Sequence, residues 1–263
     1  MTRGEPEAAF ETLVRRRELL ALLGEETLDK ASMVRRLDVS RSTVNRAVSA
    51  LESSGFVERV DGKYTATTAG RLASHHLCET LSTLGNLLES RSLLARVEGF
   101  DPPVALFRRA TVVTTAEDRH GPTHSLVDLL SSAQAVRADG GLFRTDIPTP
   151  VRDRLLDDGE VRMELVLSAE TFDWTRAYHG PELRGVVASD RHELRVADGH
   201  GRTTVAVVDT GSGEVAVVVF YDDRDDLLGL VHTEAPAGLT WAHERIDRSW
   251  AAAVPVDDPS DIP

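Results

Sequence analysis

The chain has 263 residues, 41% of them hydrophobic and 28% charged, enough to bury a sizeable core and too apolar for a disordered chain. Its 43 acidic and 30 basic residues leave a formal charge of −13, and its longest strongly apolar run, 215–220, falls far short of the ~20 residues a bilayer crossing needs. No membrane or secretory role is expected: the start, Met1-Thr2-Arg3-Gly4-Glu5, lacks the apolar segment of a signal peptide. A single Cys78 rules out an internal disulfide and any cysteine-rich metal finger. A reducing, cytoplasmic compartment is the expectation.

Only Lys30 and Lys63 are lysines; all other basic residues are arginines. Lysine depletion beside Asp-rich surface fits a salt-accumulating cytosol, where acidic surfaces keep proteins hydrated and apart. The charge is also uneven. Residues 1–75 carry 12 basic and 11 acidic side chains, whereas 76–263 carry 18 and 32. The first quarter is therefore the only part that does not repel a polyanion.

The apolar spacing over 7–23 predicts a helix stopped by Gly24. Thr27 is the expected N-cap of a second helix ending near Leu37, and Ser40 that of a third, with Gly55 just past its end. On that third helix Val44, Ala47, Val48 and Leu51 share one face, and Ser42, Asn45, Arg46 and Ser49 the opposite one. For a lone helix, a solvated face would be the plain reading. This one is followed by two alternating segments, 56–60 and 63–67, joined by Asp61-Gly62, the strongest short hairpin signal. Helix, turn, helix and hairpin make a winged helix.

The run from Val39 through Ser40, Arg41, Ser42, Thr43, Val44, Asn45 and Arg46 to Val48, then Leu51 to Val57, resembles the recognition helix and wing entry of prokaryotic winged-helix transcription regulators. Asp38 stands where such turns usually have Gly, and Asp tolerates left-handed backbone. The resemblance implies double-stranded DNA as partner. Ser42, Asn45 and Arg46 then reach base edges, Ser40, Arg41 and Thr43 serve the helix start, bases or phosphates, and Arg59 and Lys63 contact backbone or minor groove.

A long helix is expected to about Val97, and Leu77, Leu81, Leu84 and Leu88 form a heptad-like seam along it. The seam serves either a homodimer, which would set two recognition helices one turn of DNA apart, or packing on the chain's own C-terminal domain. The expected domains are a winged helix over 1–70, a connector over 71–98 and an effector or dimerisation domain over 99–263, an α+β chain overall.

Strands are expected over 104–115, 136–143, 161–167, 193–196, 203–208, 214–221 and 227–232, with helices over 124–132, 148–157 and 236–252. The strands 193–196, 203–208 and 214–221 read as one meander. Ala110-Thr111-Val112-Val113-Thr114, Asp158-Gly159-Glu160-Val161, Val219-Phe220-Tyr221-Asp222 and Ala237-Gly238-Leu239-Thr240-Trp241-Ala242 together resemble the effector-side domain of archaeal winged-helix regulators first described for methanogenesis, widespread in haloarchaea. The resemblance implies transcriptional regulation without naming a ligand.

No catalytic constellation is legible. The chain has no His-x-Lys pair, Gly-x-Ser-x-Gly elbow, P-loop or His-Glu-x-x-His. No cofactor or metal is expected either: His120 and His124 are separated by a helix-breaking Gly121-Pro122. A small-molecule effector is expected at the carboxyl ends of strands, where Arg144, Thr145 and Ser168 are the candidates beside a capping reading of each. The rival is an enzyme or protein-interaction module carried by the C-terminal domain, with the winged helix making protein contacts.

Overall fold

The computed structural model describes residues 5–97, 99–140, 147–156, 161–198, 202–222, 224 and 226–256. The chain forms two compact units, Met1–Ser82 and Thr83–Pro263. The first contains α1 (Glu5–Glu25), α2 (Lys30–Leu37), α3 (Arg41–Ser53), the hairpin β1 (Val57–Val60) and β2 (Lys63–Ala66), and the start of α4 (Thr68–Leu94). Leu20, Leu23, Met33, Val48 and Leu51 are almost fully buried at its centre.

Two local expectations shift. Helix α1 runs through Gly24 to Glu25, and the N-cap of α2 is Asp29, not Thr27. The reason is a pairing from outside the helix: Leu28 exchanges both backbone hydrogen bonds with Tyr64, at 3.0 and 2.8 Å. That extended residue delays the helix start. Asp29 then accepts from the Ser32 N–H at 2.7 Å, and this bond holds its carboxyl below the ordinary value.

In the second unit, 104–115 is not one strand. Val104–Phe107 is a single 3₁₀ turn after Pro102-Pro103, burying Leu106 and Phe107 together as no strand would, and β3 is only Thr111–Thr114. Helix α5 (Gly121–Ser131) begins at Gly121-Pro122, so that pair opens the helix, as proline at N1 or N2 does, where a break was expected. Then follow β4 (Ala135–Asp139), α6 (Thr149–Leu156), β5 (Arg162–Ser168), α7 (Ala169–Tyr178), α8 (Gly180–Ala188), β6 (His192–Ala197), β7 (Thr203–Asp209), β8 (Glu214–Tyr221), β9 (Leu227–Thr233), α9 (Pro236–Ala252) and β10 (Val254–Pro255).

The sheet order is β10-β6-β5-β4-β7-β8-β9-β3. This corrects the expected meander. β7, β8 and β9 are antiparallel neighbours, but β6 pairs parallel with β5 and lies on the far side of β4 from β7. Alternation marks a strand without naming its partner, and β5, α7, α8 and β6 make the helical crossover that parallel pairing requires. One sheet face packs under α5, α6 and α8 through Leu130, Leu165, Leu183 and Val217. The other packs under α9 and the end of α4 through Leu93, Val218, Phe220 and Ile246. Covered on both faces, β7 and β8 carry the continuous apolar runs Val205–Val208 and Val215–Phe220.

Polar links hold α9 on this sheet. Arg137 of β4 donates to Glu164 at 2.6 Å and to Asp247 of α9 at 2.9 Å. Asp139 accepts from Arg245 at 3.2 Å and Ser249 at 2.8 Å. On β6, His192 is only 6% exposed, and neither ring nitrogen makes a hydrogen bond of good geometry among the described residues. Burial pushes its pKa below the ordinary 6.5. A folded pKa below the unfolded one means stability present above pH 6.5 and lost as pH falls through that value toward the folded pKa. Thermal unfolding between about pH 7 and pH 5 should therefore show a falling midpoint, and H192F should flatten that slope. An unchanged slope in H192F would assign the acid sensitivity elsewhere.

Candidate nucleic-acid interface

Helix α3 owes its position to its two ends. Asp38, after α2, takes left-handed backbone at φ 50° and turns the chain. Ser40 is extended and accepts the Thr43 N–H at 3.1 Å, starting the helix. Val44, Ala47, Val48 and Leu51 are buried as one face. Their spacing leaves Ser42, Asn45, Arg46 and Ser49 outward and exposed.

The eight expected residues separate into three groups. Ser40, Ser42 and Thr43 form a hydroxyl cluster: Ser40 Oγ lies 2.9 Å from both Ser42 Oγ and Thr43 Oγ1. Their first task is to cap the helix. Arg41, Asn45 and Arg46 are exposed with no side-chain partner among the described residues. The first turn of α3 holds no acidic residue, so its positive dipole end and Arg41 act in the same sense. This face presents two guanidinium forks and an amide, the groups that pair bidentately with guanine and adenine edges.

The third group is on the hairpin. Asp61 (φ 48°) and Gly62 (φ 81°) both take left-handed backbone, the tight turn that matches strand twist. Lys63 is exposed beside it. Arg59 lies over the Tyr64 ring at 5.8 Å, and Lys30 of α2 lies over the same ring at 5.3 Å. Lys30 escaped sequence reasoning because its link to the hairpin is the Leu28–Tyr64 bridge, a contact across 36 positions.

The remaining expected site residues lie in the second unit. Ser168 is the N-cap of α7, accepting from Thr171 N–H at 3.0 Å and donating to Thr171 Oγ1 at 2.9 Å, which engages its hydroxyl twice. Arg144 and Thr145 lie outside the described residues. Arg202, just before β7, and Asp222 and Arg224, just after β8, line with Arg96 a cavity of about 330 Å³. The rings of His120 and His124 stand 6.2 Å apart, and no group of three potential metal ligands occurs among the described residues. No described helix is long and apolar enough to cross a membrane.

The leucine seam of α4 is divided. Leu77 is buried and Leu81 half-buried in the first unit's core. Leu84 and Leu88 are 50% and 53% exposed. One part is thus satisfied within the chain and the other is uncovered.

Residues 7–87 match the domain described as the HVO_A0261 N-terminal domain, and residues 120–252 match the middle domain of the methanogenesis regulatory protein FilR1. The second match spans just over half of the chain. No curated protein matches the chain by sequence. Similar solved structures include TrmBL2, an archaeal chromatin protein, at 16% identity over 92% of each chain, with a TM-score of 0.41. They also include Nuc of Salmonella typhimurium, a phospholipase D family member, at 10% identity over 57% of this chain and 98% of that one, TM-score 0.41. Phosphatidylserine synthase of Haemophilus influenzae Rd KW20 matches at 12% identity over 59% and 41%, TM-score 0.41.

Proposed function

Because this chain belongs to the archaeal regulator family that shares the middle domain of FilR1, we propose that it is a sequence-specific DNA-binding transcriptional regulator. The observation that carries the reading is the outward face of α3, where Arg41, Asn45 and Arg46 stand exposed, with no side-chain partner among the described residues, beside a capped helix N-terminus. Arg46 and Asn45 read base edges, Arg41 and the first-turn amides hold phosphates, and Lys63 and Arg59 follow the backbone beside the groove. The near-neutral charge of 1–75, in a chain of −13, leaves this unit the part able to approach a polyanion.

The regulator acts as a homodimer. The uncovered Leu84 and Leu88, one turn apart on α4, give two copies an apolar stripe to bury against each other. Two recognition helices then address half-sites about one helical turn apart. Residues 99–263 form the effector side, where a small molecule shifts the dimer and with it operator affinity. The cavity lined by Arg96, Arg202, Asp222 and Arg224, three guanidinium groups around one carboxylate, is the candidate place for such a molecule.

Chromatin immunoprecipitation with sequencing, in the native host at its own salt, tests the reading. The expected result is a set of discrete promoter peaks sharing an inverted repeat. A flat profile across growth conditions would overturn sequence-specific binding, and peaks over a single unrepeated half-site would overturn the dimer.

A further inference from the structure

Helix α1 is broken at Arg16, whose φ of −119° and ψ of 16° are not helical. The local sequence gives no cause. Leu13-Val14-Arg15-Arg16-Arg17-Glu18-Leu19 contains no Pro, Gly or Ser, and apart from Val14 it consists of good helix formers. The break is therefore imposed by what α1 packs against. A backbone outlier held by its surroundings is a frequent mark of a ligand site.

At the break lies a cavity of about 300 Å³ contained wholly in the first unit. Val14 and Leu19 form one apolar wall; Leu37, Val39, Val44 and Ala47 form the other. Arg15, Arg16, Arg17 and Glu18 line the rest, with Thr43 of α3. Arg15 is held by Glu11 at 3.2 Å. Arg16 is half-buried and Arg17 exposed, and neither side chain has a partner among the described residues. A half-buried guanidinium beside an apolar wall is costly without a counter-charge. A planar carboxylate matches its fork of donors.

We propose that this cavity binds a small organic carboxylate, with the carboxylate on Arg16 and Arg17 and an apolar body against Val14, Leu37 and Val39, the part-exposed apolar residues of its lining. A doubly charged phosphate fits less well, because Glu18 shares the lining and most of the walls are hydrocarbon. The volume is at the lower end of small-molecule pockets, which sets the size of the ligand. An occupant reaches α3 at half-buried Thr43, in the same helix turn as Asn45 and Arg46. Such a ligand acts on the DNA-reading face without any signal from the second unit. The site goes beyond the regulator reading, and its occupancy is measured without DNA, so either can fail alone.

The test is a titration of the full-length chain with hexanoate and benzoate, each against the matching alcohol, followed by amide NMR and calorimetry. Saturable shifts at Val39, Val44 and Ala47 are expected with the acids and not with the alcohols. The double variant R16Q/R17Q, with both changes at the cavity mouth, should weaken binding about tenfold or more. V39F, which fills the cavity from the turn, should abolish it. If V39F fails to fold, the arginine variant still decides. Absence of saturable shifts, equal binding of acid and alcohol (apolar occupancy only), or full affinity in R16Q/R17Q would overturn the proposal.

Discussion

Arg46→Ala should weaken binding to a specific operator by ~1–3 kcal/mol, roughly 5- to 150-fold in Kd, and relax base preference at one position of each half-site. The side chain is exposed at the centre of the outward face of α3 and has no partner to lose among the described residues. Its removal therefore leaves the fold untouched, and helix propensity favours alanine there. The measurement is fluorescence anisotropy with operator and scrambled duplexes over a salt series. Affinity for the scrambled duplex should change little, and the salt slope by no more than one contact's worth. K63A should show the contrasting pattern, a nearly uniform loss across sequences and a slope reduced by ~1, as a phosphate contact does. Unchanged operator affinity in R46A would remove this face from the interface.

Gly70→Ala is the other large expected effect, on stability. Gly70 lies in the first turn of α4, buried against the residue that enters the hairpin, with its N–H donating to Thr67 Oγ1 at 3.0 Å. A Cβ there would overlap the backbone carbonyl oxygen of Phe56, with the Phe56 Cα at 3.2 Å. Backbone atoms cannot rotate aside, so α4 and the hairpin must separate. That also strains the Thr67 N–H bond to Phe56 O at 2.9 Å. A loss of about 3 kcal/mol is expected, lowering the first unit's melting temperature by roughly 10–20 °C. Gly85 on the same helix is the internal contrast, since nothing lies within 4 Å of its added Cβ. G85A should instead stabilise by about 0.5–1 kcal/mol through helix propensity. Equal calorimetric midpoints for G70A and the parent chain would contradict the close approach.

The first unit is legible in sequence because its signals are local. Ser40 as cap, Asp38 in left-handed backbone, Asp61-Gly62 as a tight turn and the buried stripe Val44-Ala47-Val48-Leu51 each act within a few positions. Where that unit departs from expectation, a distant residue intervenes: Tyr64 captures Leu28 and moves the cap of α2 from Thr27 to Asp29. In the second unit, strands are legible and partners are not. Alternation located β6 and β7 closely, yet placed them side by side, while the sheet sets β5 and β4 between them. The outward face of α3 was legible as far as helix geometry reaches. Lys30 on Tyr64 and the break at Arg16 were not, since both arise from packing between elements. Ser168 followed its intrinsic preference and became a cap.

The strand order also fixes the sequence of events on the ribosome. All of the winged-helix core lies before residue 82. It can fold while the remainder is still being translated. β3 has the opposite fate, because its neighbour among the described strands is β9, whose paired residues 229–232 emerge more than a hundred positions later. β4 likewise waits for β7, and the apolar face over β7 and β8 waits for α9. For most of its synthesis the nascent second unit presents open strand edges. A premature stop before α9 would release a chain with a finished head and an adhesive, unfinished sheet.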